Sequence, residues 1–98
     1  MSHVSRFSEG KRKIEELVGQ GDNKITNTTV NVSNMDKEAY LEDFLDRMRK
    51  AGRVIGYYIP PEEKGKSILI HYDSNESAVE AVKTLNGIEI KRSIIKIE

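Results

Sequence analysis

The stretch Ser67-Ile68-Leu69-Ile70-His71-Tyr72 is the most strand-like run in the chain. It follows a polar loop, Pro60-Pro61-Glu62-Glu63-Lys64-Gly65, and its parity puts Ile68, Ile70 and Tyr72 on one face and Ser67, Leu69 and His71 on the other. Upstream, Arg53 to Ile59 is rich in Val, Ile and Tyr and stops at the two prolines, which reads as a neighbouring strand with Gly56 and Tyr58 facing outward. Further back, Thr29-Val30-Asn31-Val32-Ser33 alternates apolar and polar residues, the period of a half-buried strand. Between these two, Tyr40, Leu41, Phe44, Leu45, Met48 and Ala51 recur every three or four residues. That spacing predicts a helix from about Lys37 to Ala51, with Asp36 as its cap and Gly52 as its stop. Downstream, Ser74 or Asn75 opens a second helix that buries Ala78, Val79, Ala81, Val82 and Leu85 and ends at Asn86-Gly87. Ile88 to Glu98 closes the chain with two short alternations, of which Ile95 and Ile97 form the core pair.

The element order is therefore β-α-β-β-α-β. Right-handed crossovers turn that order into an α+β, ferredoxin-like sandwich: a four-stranded antiparallel sheet with two helices on one face. The other sheet face stays open unless something covers it. A short N-terminal helix is added in front, capped by Ser8 and running from Glu9 to Val18, with Gly19 to Thr29 as a linker. The expected organisation is an N-terminal extension over residues 1–24 and one domain over residues 25–98.

The chain has 98 residues, 16 Lys and Arg against 16 Asp and Glu, and no cysteine. A formal charge of zero supplies no global field to attract nucleic acid or anionic membrane, so any such affinity depends on local placement. Without cysteine there is neither a disulfide framework nor a thiolate, and two separated histidines make a metal site improbable. No run approaches the roughly 18 apolar residues of a membrane span, and Met1 to Gly10 lacks the core of a signal peptide. A soluble intracellular protein with no cofactor is expected.

From Thr29 to Glu98 the chain resembles the RNA recognition motif family. The landmarks are TVNVSNM on the first strand, Gly52-x-Val54 after the first helix, KGKSILIHY on the third strand, and Ala78 followed by LNG at the end of the second helix. The resemblance implies single-stranded RNA binding on the open sheet face, nuclear or cytoplasmic location with the nucleus favoured, and a place in mRNA processing. The family's stacking aromatics are replaced: Asn31 stands at the first-strand position, and Ser67 and Leu69 stand at the third-strand positions. Each lost platform removes about 1–3 kcal/mol per base, so weak or non-standard binding is expected. The candidate RNA contacts are Asn31, Ser33, Tyr58, Ser67, Leu69, His71 and Lys96 on the face, with Lys66 and Arg92 at its edges.

A second reading is a protein-interaction module. Phe7, Ile14, Leu17 and Val18 form an apolar patch in the N-terminal segment, within reach of Tyr58, Leu69 and Ile94. Docking there would make the helix a lid over the sheet, or would seat it in a partner or a second copy, giving a monomer or a weak dimer. An enzyme is not expected. The loop Ser33-Asn34-Met35-Asp36 lacks the glycines and arginine of an acylphosphatase phosphate cradle, and no nucleophile motif or acid-base pair occurs elsewhere.

Overall fold

The computed structural model describes residues 12–98. Four strands make the main sheet: β1 (Thr29–Ser33), β2 (Val54–Tyr58), β3 (Ile68–Tyr72) and β6 (Lys96–Ile97). They lie in the order β2-β3-β1-β6, every pair antiparallel. Two helices, α1 (Leu41–Met48) and α2 (Asn75–Thr84), cover one face, and β4 (Glu89–Ile90) with β5 (Ser93–Ile94) forms a small separate hairpin. This is the ferredoxin-like arrangement that the sequence pattern predicts. Val30, Val32, Ile68, Ile70 and Tyr72 turn inward against Phe44, Met48, Ala78 and Ala81. Ile95 and Ile97 join them, as the closing alternation predicts.

α2 starts where the sequence suggests, because the Ser74 hydroxyl accepts from the Ser77 amide at 3.2 Å. α1 starts four residues later than the predicted Lys37, and the cause is tertiary. The carbonyls of Lys37 and Ala39 accept from the amides of Glu15 and Ile14, and the Leu41 amide donates to Arg12. The Lys37 and Ala39 carbonyls and the Leu41 amide are thus taken by residues 12–15, which displaces the Leu41-to-Lys37 bond of a helix begun at Lys37, and a helical bond closes from the Phe44 amide to the Tyr40 carbonyl at 3.1 Å. The Asp36 carboxylate serves a local turn, accepting from the Glu38 amide at 2.9 Å. Two expected core residues lie outside: Tyr40 is 43% and Val79 is 45% exposed.

The N-terminal segment also differs from expectation. In place of a helix over 9–18, a single 3₁₀ turn spans Ile14–Leu17, residues 9–11 lying outside the described part. Ile14 is completely buried in the core on the helix side, and Leu17 packs against that core. Burial of one such side chain contributes about 1.5–3 kcal/mol. The Gly19 to Asp22 stretch, read from sequence as linker, runs antiparallel along the outer edge of β2. The Gly19 amide donates to Ile59 (2.7 Å), the Ile59 amide to Gln20 (3.1 Å) and the Asp22 amide to Tyr57 (2.9 Å). Gly21 is required in this strap: its φ is +103°, and an added Cβ would collide with the Tyr57 carbonyl.

Candidate nucleic-acid interface

The open face is built by strand parity. β1 contributes Thr29, Asn31 and Ser33, β3 contributes Leu69 and His71, β2 contributes Gly56 and Tyr58, and β6 contributes Lys96. At the centre Asn31 stands directly opposite Leu69, and Tyr58 flanks Leu69 from β2. All three are half-buried. Ser33 pairs with Lys96 at one end of the face. The Lys96 ammonium lies 4.0 Å from Glu98, an exposed pair that leaves the cation available to another anion. Lys66 and Arg92 are exposed at the margins.

Two expected contacts are withdrawn from the surface. Ser67 is only 7% exposed, so it offers little to a base. His71, read as an accessible face residue, is also 7% exposed, because the strap reaches it from the β2 edge. Gly56, with no side chain, lets the imidazole lie across β2; a Cβ at that glycine would sit 3.4 Å from His71 Cδ2. The Nε2–H donates to the Asp22 carbonyl at 2.6 Å, and Nδ1 faces the Thr29 hydroxyl at 2.9 Å. Both ring nitrogens are therefore engaged within the protein, and this end of the face is closed.

The expected lid is absent among the described residues. Ile14 and Leu17 fill the helix side rather than covering Tyr58, Leu69 and Ile94. Val18 is 37% exposed, and Phe7 lies outside the described residues. A pocket of about 330 Å³ opens between the strap, α1 and β2, lined by Arg12, Leu17, Gln20, Leu41 and Tyr57; these residues place it on the flank of the domain. No group of His, Asp and Glu able to hold a metal ion occurs among the described residues. Sequence reasoning missed the partners of His71, because Asp22 acts through its main-chain carbonyl and leaves no side-chain signal. The paired glycines at 19 and 21 were the available clue.

The fold is an α+β module that presents one face of an antiparallel sheet. The comparisons with known proteins define which kind. The RNA recognition motif family matches residues 30–96, and the chain belongs to that family. It is accordingly an RNA-binding module and not an enzyme. Solved structures agree in fold. The RRM3 domain of Mip6 is 20% identical, with 79% of this chain and 96% of that chain covered, at a TM-score of 0.68. The Rna15 RRM with bound RNA (GU) is 23% identical, with 72% and 80% covered, at 0.59. The first two RRM domains of yeast poly(U) binding protein Pub1 give 24% identity, 71% and 44% coverage, and 0.63.

Proposed function

We propose that this module binds single-stranded RNA weakly, on the part of the open face formed by Asn31, Ser33, Tyr58, Leu69 and Lys96, with Lys66 and Arg92 taking phosphates at the edges. The observation that supports this reading is the Asn31–Leu69 pair at the centre of the sheet, on a face that the described residues leave partly exposed. Sheets of this family stack two or three bases, and closure of the His71 end leaves room for about two. Tyr58 is the aromatic remaining on that face, so one base stacks and its neighbour rests on Leu69 with its edge against the Asn31 amide. Three edge cations give a salt slope no steeper than about −2 for single strands. Affinity of this size becomes useful beside a second RNA-binding domain, where linkage raises the effective concentration. We therefore place the module within a larger mRNA-processing protein, with the nucleus as its location by family analogy. The alternative, a sheet covered by protein, has neither Ile14 nor Leu17 to spare for its lid, since both are housed in the core.

Titration of the isotopically labelled protein with short mixed RNA at low salt tests the proposal. Amide shifts are expected at Asn31, Ser33, Tyr58, Leu69 and Lys96, collapsing as salt is raised. Shifts confined to the flank pocket or the helices, or none at all, would overturn it.

A further inference from the structure

We infer that the RNA path continues past the Ser33 end of the sheet onto Tyr40, which stacks a base between the cations of Lys13 and Lys91. This rests on the reading of the sheet given above and extends it to a site outside the sheet. Tyr40 occupies the N-cap position of α1, where its side chain makes no capping hydrogen bond. Serine, threonine or aspartate there would satisfy an orphan amide. The phenol ring is instead 43% exposed, so neither capping nor full burial accounts for an aromatic at this position.

The surroundings of the ring are cationic. The Lys91 ammonium lies 5.6 Å from the ring centroid. Lys13 bridges Tyr40 across an antiparallel pair, and residues paired in that way project to the same side. Arg92 follows Lys91 at the tip of the β4–β5 hairpin. Among the described residues, Arg12, Arg47, Arg49 and Lys96 are each within 4.0 Å of a carboxylate, whereas Lys13, Lys91 and Arg92 are not. The nearby α1 carboxylates Glu42 and Asp43 are occupied by Arg49 and Arg47. An aromatic ring with one cation 5.6 Å from its centroid and another on its cross-strand neighbour, neither paired to a carboxylate among the described residues, is the chemistry that takes a base and its flanking phosphates.

This site is continuous with the sheet. Asn34 Nδ2 donates to the Ile94 carbonyl at 2.8 Å, tying the exit of β1 to the hairpin. From Lys96 the rim passes to Ile94, which is 54% exposed, and then to Lys91, steps of two and three residues that span at most about 7 and 11 Å. The carboxylates along this rim are Glu98, 4.0 Å from the Lys96 ammonium, and Glu89, opposite Ile94 in the hairpin. The His71 end is closed by the strap, so this is the end by which a strand can leave the face.

The test compares mixed-sequence RNA of three and of eight nucleotides on the full chain. Tyr40→Ala is expected to weaken the octamer about five-fold or more, the loss of one stacked base, and to leave the trimer unchanged. Tyr40→Phe should bind both as the parent does, and Lys91→Glu should weaken only the octamer. If the octamer shifts the sheet amides but Tyr40→Ala leaves its affinity unchanged, or if trimer and octamer lose equally, the inference fails and the sheet reading stands. If neither oligonucleotide shifts a sheet amide, both fail.

Discussion

The phenol of Tyr72 is fully buried between β3 and α1, and its hydroxyl donates to the Met48 carbonyl at 2.7 Å. A phenolate there would have lost its water, so burial pushes the group up from 10.0 to about 12. The unfolded chain therefore ionises first. The contribution of Tyr72 is complete below pH 10 and is lost as pH rises toward 12. Tyr72→Phe removes one of two bonds to the Met48 carbonyl, the Ala51 amide keeping the other at 3.2 Å, and should cost about 0.5–1.5 kcal/mol at pH 7. Phenylalanine cannot ionise, so the gap between the two proteins should shrink between pH 10 and 12. Urea unfolding at pH 7 and pH 11 measures it, and a gap of constant size would refute the burial argument.

At the scale of elements, the strap from Gly19 to Asp22 is the least conventional piece. It adds backbone pairing to the edge of β2, which would otherwise present unpaired groups to a second chain. Its tightest requirement is at Gly21, where φ is +103° and the Tyr57 carbonyl leaves no room for a Cβ. Gly21→Ala should detach the strap while Ile14 stays buried, costing about 1–3 kcal/mol. Hydrogen exchange should then quicken at the Gly19, Asp22 and Ile59 amides and stay slow at Val30 and Ile70; unchanged protection at Asp22 would rule the strap out as a clamp. The same segment marks the limit of what the sequence discloses. β1, β3 and the Ser74 cap were legible because each has a side-chain period or a side-chain bond. The strap and the late start of α1 were not, because their bonds run from backbone to backbone and leave no pattern in residue type. On the candidate site, Asn31, Leu69 and Tyr58 followed from parity, whereas the burial of His71 depends on a carbonyl 49 positions away in sequence.

At the scale of the whole domain, residues 25–98 carry 11 basic and 12 acidic side chains, and the open face of the two central strands, β1 and β3, carries Asn31 and Leu69 where stacking rings would stand. These two deficits are separable by experiment, because phosphate contacts set the salt slope while stacking does not. Asn31 and Leu69 are the positions at which to restore stacking, since they are cross-strand neighbours on the open face and both are partly exposed. Ser67 is unsuitable, because a large ring there would have to displace the packing that buries it. The double variant Asn31→Tyr, Leu69→Phe adds two platforms worth about 1–3 kcal/mol each, so RNA affinity should rise at least about 30-fold. An aromatic pair across β1 and β3 also favours the sheet itself by about 0.2–1 kcal/mol, so the fold should tolerate it. The plot of log K against log salt should move upward in parallel with the parent, no phosphate contact having been added. A steeper slope would mean that the new rings had re-routed the strand over Lys66 or Arg92, and no gain at any salt would mean that RNA does not lie on this face.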